Sequence, residues 1–324
     1  MKALAIFQRG ELPQLMDHYP EPSVQNDDEL LVSVKAAAIK HLDKSRAIGK
    51  HYSAGNDLSK SHIMGGDGVG LLADGTRVFA LGASGMVAEK ARIEKNTIVK
   101  LPDGIADDIA AALPNAVAGS AMALRFRAGI KEGETVLING ATGFTGKIAV
   151  QVARHYGAKK IIATGRNEKS LEQLRSLGAN EIISLKQEDQ LFVENLKRIH
   201  FETPIDIIID YLWGHPAELI LSALKGQGSF THRSRFVSVG AMTADKIELS
   251  AESLRSADIH LTGSGLGSWT RDEMKILFKE IIPEMLELAA IGKLRVDTMK
   301  IGLSDIEKLW TMEVPDGKRI VVII

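Results

Sequence analysis

The sequence predicts an α/β protein in which a β-rich region is followed by a doubly wound parallel sheet. Short apolar runs separated by Gly, Asp and Pro extend to about residue 113, a pattern typical of strands. From Thr135 onward, strand-like runs alternate with amphipathic helical patterns, which is typical of a parallel sheet. The length of 324 residues predicts two domains.

The composition is that of a globular protein, with 45% apolar residues, 25% charged residues and a formal net charge of −1. There is no basic excess to indicate a nucleic-acid partner. The absence of cysteine excludes disulfides, thiolate zinc sites and cysteine nucleophiles, and it suits a reducing compartment. The longest apolar runs are strand-sized, so we expect a cytoplasmic protein with no signal peptide and no membrane partner.

The first region contains four strand-like runs, at residues 3–7, 30–34, 77–80 and 86–93. A polar stretch lies between Gly49 and Gly65. Loops of this length are typically functional lids or disordered segments.

The second region contains six strand-like runs, at residues 135–139, 161–164, 181–184, 205–210, 236–239 and 260–262. After the first of these, Ala149, Val152, Ala153 and Tyr156 recur at helical spacing and form one apolar face. Residues 272–290 have a helical pattern. Residues 317–324 form a last strand, which we expect to return to the first domain.

A glycine-rich turn follows the first strand of the second region directly. It has the spacing G-x-x-G-x-x-G and consists of Gly140, Ala141, Thr142, Gly143, Phe144, Thr145 and Gly146. Glycines let the backbone approach a pyrophosphate closely, and the following helix start favours negative charge. The alternative is a tight turn without a ligand, but the strand–loop–helix context favours dinucleotide binding.

The end of the next strand indicates which dinucleotide is bound. NAD sites usually carry an acidic residue there to hold the ribose 2′-hydroxyl. Here the run is Thr164, Gly165, Arg166, Asn167, Glu168 and Lys169. Gly165 leaves room, and Arg166 with Lys169 would bind a 2′-phosphate, so we predict NADPH. The alternative is that Arg166 is an ordinary solvated charge.

Several segments resemble the medium-chain dehydrogenase/reductase superfamily, and most closely its zinc-independent quinone oxidoreductase and enoyl reductase branch. They are residues 28–37, 65–70, 74–79, 99–102, the glycine loop, residues 177–179 and the strand that begins at Gly317. The resemblance implies a GroES-like β-barrel-type catalytic domain over residues 1–115 and a Rossmann NADP-binding domain over residues 116–265. Residues 266–324 would then return to the catalytic domain.

The sequence departs from this superfamily at two places. Its zinc alcohol dehydrogenases carry Gly-His-Glu where this chain has Gly65, Gly66 and Asp67. The histidines nearby, His41, His51 and His62, lack ligand spacing, so we expect no metal. Relatives usually carry Ser or Thr where Gly119 stands, which puts one contact to the nicotinamide in doubt, although Ser120 is adjacent.

The resemblance also supplies candidate site residues. Tyr52, which follows Gly49 in the polar loop, resembles the proposed proton donor of the enoyl reductases; the alternative is a tyrosine packed at the mouth of the loop. His41 and Asp43 would line the same active site. Cofactor contacts are also expected at Asn115 and, from their places after strand ends, at Gly240, Ser264 and Gly265. The alternative for the last three is that they form ordinary strand-end turns.

Together these features predict an NADPH-dependent enzyme that transfers a hydride to a small quinone or α,β-unsaturated carbonyl. An alternative is an NADPH-binding protein of the same fold without turnover. The missing zinc ligands argue against a conventional alcohol dehydrogenase. A homodimer is expected through the edge strand at residues 260–262, as in the relatives.

Overall fold

The computed structural model describes residues 1–8, 11–47, 61–226, 231–310, 314 and 317–324. The chain divides into two compact units. The first consists of Met1–Pro114 together with Phe278–Ile324, and the second is Asn115–Leu277.

The strands are numbered in chain order: β1 (Ala3–Ile6), β2 (Gln14–Met16), β3 (Glu29–Ile39), β4 (His62–Ile63), β5 (Asp67–Leu71), β6 (Arg77–Leu81), β7 (Lys90–Glu94), β8 (Val99–Lys100), β9 (Thr135–Asn139), β10 (Lys160–Gly165), β11 (Glu181–Ser184), β12 (Ile207–Asp210), β13 (Ser234–Ser238), β14 (Ile259–Gly263), β15 (Thr298–Gly302) and β16 (Arg319–Ile323). The α-helices are α1 (His41–Ala47), α2 (Asp107–Met122), α3 (Phe144–His155), α4 (Glu168–Leu177), α5 (Asp189–Glu202), α6 (Gly214–Ala223), α7 (Ala251–Ser256), α8 (Arg271–Ile276) and α9 (Ile282–Ala290). Two π-helical segments, Ala123–Ala128 and Leu277–Ile281, continue α2 and join α8 to α9.

The first unit is built on a sheet of order β15-β16-β3-β5-β6-β8, to which β7 adds by pairing with β3. Its pairs are antiparallel except β15 with β16. Along β3, Val32 and Val34 alternate with more exposed residues, and from Ala36 to Ile39 every residue is buried. Half of this strand therefore has one solvated face, and the other half lies wholly in the core.

The second unit contains a parallel six-stranded sheet of order β11-β10-β9-β12-β13-β14. In chain order this is 3-2-1-4-5-6, so the predicted doubly wound sheet is confirmed. All four residues of β12 are buried, as expected for a central strand covered on both faces. The carboxyl ends of β9, β10 and β12 lie side by side, because β9 pairs with both of the others.

Two parts of the chain differ from the sequence-based expectation. The run at residues 86–93 is a strand only from Lys90. Met86 and Val87 follow a turn at Gly85 (φ +87°), and their N–H groups donate to the carbonyl oxygen of Met64. Helix α2 was not predicted, since the region to residue 113 was interpreted as mostly β.

Helix α2 with its π-helical continuation, Asp107–Ala128, is the one described helix long and apolar enough to cross a membrane. Of the most apolar stretch of this helix, 72% is buried inside the protein. The core helix of a soluble protein has the same properties, so length and composition are weak evidence for a span.

Candidate cofactor and active site

The glycine loop joins the carboxyl end of β9 to the start of α3. Gly140 has a φ of +85°, and a Cβ there would lie 2.9 Å from the Leu212 side chain. A Cβ on Gly146 would lie 2.5 Å from the carbonyl oxygen of Gly140. A Cβ on Gly143 would stay 3.7 Å from its nearest neighbour. Close packing therefore requires the first and third glycines, whereas a Cβ at the second would make only an ordinary contact.

Gly143 is also the N-cap residue of α3, and no side chain caps this helix start. A helix start without a capping side chain is suited to an anion, because the helix dipole places partial positive charge there. Among the other predicted loop contacts, Ala141 and Phe144 are buried, and Thr142 and Thr145 are partly exposed.

The end of β10 packs against this loop. A Cβ on Gly165 would lie 2.4 Å from Cγ2 of Thr142 and 2.8 Å from its hydroxyl. The sequence interpretation was that Gly165 leaves room for a phosphate. In the structure, Thr142 fills the space beside Gly165.

Of the polar residues after β10, one caps a helix and two are exposed cations. Asn167 is the N-cap of α4, and its Oδ1 accepts from the N–H of Ser170 at 2.9 Å. Arg166 and Lys169 are exposed, and neither has an ion pair among the described residues. Two cations therefore stand at the carboxyl end of the strand beside β9.

Thr164, at the end of β10, contacts the start of the glycine loop. It is fully buried, and its hydroxyl donates to Oδ1 of Asn139 at 2.6 Å and accepts from the N–H of Gly140 at 3.2 Å. Its hydroxyl thus holds the first residue of the glycine loop in place. A contact between Thr164 and the cofactor stays a prediction.

Asp210 extends this buried network to the end of β12. Nδ2 of Asn139 donates to its carboxylate at 2.7 Å, and the N–H groups of Leu212 and Trp213 donate at 3.0 Å. Burial raises the pKa of Asp210 to about 6, although these hydrogen bonds oppose the shift. Among the described residues, Trp213 is the one non-glycine with positive φ (56°). The carboxylate therefore holds a strained turn beside the glycine loop.

This network was missed at the sequence level, although a signal is visible. Three predicted apolar strands each finish on a polar residue, Asn139, Thr164 and Asp210. Adjacent parallel strands bring such ends together.

The remaining cofactor candidates lie at other strand ends of the second unit and in α2. Gly240 donates its N–H to the carbonyl oxygen of Asp210 at 3.2 Å. The buried hydroxyl of Ser264 accepts from the indole of Trp269 at 3.0 Å, and the N–H of Gly265 donates to Ser268 at 3.0 Å. Asn115 is partly exposed in α2. Cofactor contacts at these residues stay predictions.

Ser120 does not supply the hydroxyl that Gly119 lacks. Its hydroxyl is buried and donates to the carbonyl oxygen of Ala116, one turn earlier in α2, at 2.8 Å. A Cβ on Gly119 would lie 3.5 Å from Thr145, an ordinary contact.

The structure describes two of the three catalytic candidates of the first unit. Tyr52 lies outside the described residues. His41 begins α1, and partial burial with the nearby charges of Arg319 and Lys44 lowers the pKa of its ring. Asp43 is buried, and its carboxylate accepts from the N–H groups of Lys40 at 2.9 Å and Gly66 at 3.3 Å. These are contacts of a structural residue, and a catalytic role for Asp43 stays a prediction.

Comparison with known proteins places this site in a family. A family model described as zinc-binding dehydrogenase matches residues 145–287. The chain is 28% identical to human quinone oxidoreductase over 285 residues, which covers 85% of this chain and 83% of that protein. It is 27% identical to a probable NADPH-dependent quinone reductase of Emericella nidulans over 94% of both chains. These similarities support the assignment of the chain to the medium-chain dehydrogenase/reductase superfamily.

Solved structures of quinone oxidoreductases share the fold. The Thermus thermophilus enzyme, studied alone and in complex with NADPH, is 25% identical over the full length of both chains with a TM-score of 0.77. The Escherichia coli enzyme complexed with NADPH is 23% identical, also over both full lengths, with a TM-score of 0.82. These structures show the fold, and the quinone oxidoreductase relatives in sequence support that branch of the superfamily.

The description of the family model implies zinc, but the described residues of the first unit do not fit it. The chain has no cysteine, and the carboxylate of Asp67 is paired with the ammonium of Lys40. In the described part of the chain, no three His, Asp or Glu side chains converge as metal ligands would.

Proposed function

We propose that this chain is an NADPH-dependent oxidoreductase that transfers a hydride to a quinone or an α,β-unsaturated carbonyl without zinc. The observation that carries the proposal is the glycine loop, which opens α3 at the carboxyl end of β9 with Arg166 and Lys169 beside it. The quinone oxidoreductase relatives support the reaction class.

The glycine loop and the start of α3 would hold the pyrophosphate. The preference for NADPH follows from the charges after β10. The residue at which NAD sites carry an acid is Gly165, and the nearest carboxylate, Glu168, is the exposed first residue of α4. Arg166 and Lys169 would bind the 2′-phosphate of the cofactor through charge-assisted hydrogen bonds.

Bound NADPH would supply the hydride, and the protein would position the substrate beside it. A saturated ketone places a full negative charge on one oxygen during reduction, and stabilising that charge requires a metal or a strong donor. A quinone or enone spreads the charge over a conjugated system and needs less stabilisation. Because the described residues offer no fitting zinc site, we expect conjugated acceptors to be favoured.

The proton that completes the reaction has two sources in this proposal. Tyr52 would donate to the enolate formed from an enone, and solvent would protonate the oxygens of a reduced quinone. We place the reaction in the cytoplasm, which suits a cysteine-free chain.

The proposal is tested by following NADPH oxidation across matched small quinones, enals and saturated ketones. Quinones and enals should be reduced, and saturated ketones poorly or not at all. Tyr52→Phe should slow enal reduction more than quinone reduction. Tight NADPH binding without turnover of any acceptor would instead indicate the non-catalytic alternative. Turnover of saturated substrates alone would contradict the charge argument.

A further inference from the structure

A cluster of four charged side chains is buried in the first unit where β3, α1, β5 and β16 meet. It contains Lys40, Asp43, Asp67 and Arg319. The Lys40 side chain is only 3% exposed. Charged groups are rarely buried unless they are paired, so the contacts inside the cluster decide its role.

The Lys40 ammonium bridges the two carboxylates. It forms a close ion pair with Oδ1 of Asp67 and lies 3.4 Å from Oδ2 of Asp43. The other oxygen of Asp43 accepts from the backbone N–H of Gly66 at 3.3 Å. The ammonium thus lies between the start of α1 and the start of β5.

The cluster contains two cationic and two acidic side chains. Burial raises the pKa of Asp67, and the Lys40 ammonium opposes that change. Burial alone would lower the pKa of Lys40, but Asp43 and Asp67 outweigh it and raise that pKa. Arg319 contributes the second positive charge from β16; burial lowers its pKa to about 10, and the same two carboxylates oppose that change. Lys40 is therefore a charged ammonium at neutral pH, and its two described ion pairs both lie within the cluster.

The position of Asp67 in the sequence also bears on whether a metal ion could bind here. Residues 65–67 stand where zinc alcohol dehydrogenases of the superfamily carry Gly-His-Glu, so Asp67 occupies the place of an acidic residue beside a metal ligand. In this chain the cation that pairs with the Asp67 carboxylate is the ammonium of the Lys40 side chain.

We propose that the Lys40 ammonium is the resident cation of the Asp43–Asp67 carboxylate pair and occupies the place that a metal ion would need in order to use these two carboxylates. It joins α1 to β5, and with Arg319 it leaves no unneutralised carboxylate for a divalent ion. Removal of the Lys40 side chain should therefore open a site for a small external cation.

The test uses Lys40→Ala, which removes three methylene groups and the ammonium. This variant should melt several degrees below the wild-type protein, because two buried carboxylates lose their partner. Millimolar n-propylammonium restores the missing atoms and should recover at least half of that loss. Neutral n-propanol should recover none, and the wild-type protein should not respond to either compound.

The matched control is Lys40→Ala/Asp67→Asn, in which n-propylammonium should have little effect because one carboxylate is gone. A folded Lys40→Ala variant that does not respond to the amine would overturn the proposal. Metal content gives a second measurement that does not depend on the variant folding. Wild-type protein equilibrated with zinc and then dialysed should retain none, and stoichiometric zinc that is lost in Asp67→Asn would also overturn the proposal. Both readouts are independent of whether the chain reduces quinones.

Discussion

At the scale of single residues, Arg166 has the most specific predicted role. If its guanidinium binds the 2′-phosphate, Arg166→Ala should weaken NADPH binding about 10- to 100-fold, as expected for loss of about 1.5–3 kcal/mol from a charge-assisted pair. NADH lacks that phosphate, so its affinity should not change. Fluorescence titration with both cofactors measures the difference.

The control for this variant is Arg175→Ala. Arg175 lies in the last turn of α4 and pairs with Glu172 at 3.1 Å. Its loss should leave both cofactor affinities as they are. Equal weakening of NADPH and NADH by Arg166→Ala would contradict the assignment of the 2′-phosphate to this residue.

Asp210 predicts a pH dependence of stability. Its pKa of about 6 in the folded protein lies above its ordinary value of 3.8. Between these values the folded state holds a proton that the unfolded state has lost. The free energy of unfolding should therefore fall as pH rises from 4 to 6, by up to about 3 kcal/mol.

Urea unfolding of wild-type protein and Asp210→Asn across this pH range measures the contribution. The variant cannot titrate at this position, so its stability should decline less steeply. Asp245→Asn, which changes an exposed aspartate, should keep the wild-type slope. A slope in Asp210→Asn identical to that of the wild-type protein would show that another group is responsible.

The glycines show what sequence reasoning could and could not see at this scale. The loop at Gly140, Gly143 and Gly146 was recognisable because a strand precedes it and a helix follows. The role of Gly165 was not, because its neighbour Thr142 is 23 positions away in the chain and is brought near by the pairing of β9 with β10. Packing between distant segments leaves no local pattern.

At the scale of secondary-structure elements, β14 predicts assembly. It is the edge strand of the parallel sheet, and Leu261 on it and Leu266 just after it are 37% and 46% exposed. An open apolar edge is usually covered by another chain. We therefore expect a two-fold dimer at micromolar concentration, measured by light scattering after size-exclusion chromatography.

Leu261→Lys/Leu266→Lys should shift the protein toward monomer, because charged side chains disfavour pairing at a strand edge. Phe201→Lys is the matched control. Phe201 is 89% exposed near the end of α5, and its replacement should leave the dimer intact. A monomeric wild-type protein would refute the prediction.

Strands and helices were predictable from the sequence where a single hydrophobic pattern dominated. The strands at residues 135–139 and 181–184 have the predicted bounds, because apolar runs end there at clear turn residues. Helix α2 was missed because its alanine-rich sequence is buried nearly all round and shows no polar face to reveal the helical period. The interrupted strand before Lys90 depends on hydrogen bonds to Met64, which sequence alone does not reveal.

At the scale of the whole molecule, the alternation of strands and helices predicted the parallel sheet, and the resemblance predicted an oxidoreductase. It did not reveal the buried ion cluster, since Lys40, Asp67 and Arg319 are far apart in sequence. The two units also differ in continuity. The second is one uninterrupted segment, whereas the first is assembled from both ends of the chain.

That discontinuity affects how the protein is made. Strand β16 pairs with both β15 and β3, and Arg319 at its start donates to the carbonyl oxygen of Ile39, 280 residues earlier. During synthesis, the ribosome therefore finishes the second unit while the sheet of the first still lacks its β15 and β16 strands. The β16 side of β3 is covered only after β16 has been synthesised, so we expect nascent chains to rely on chaperones most in that interval.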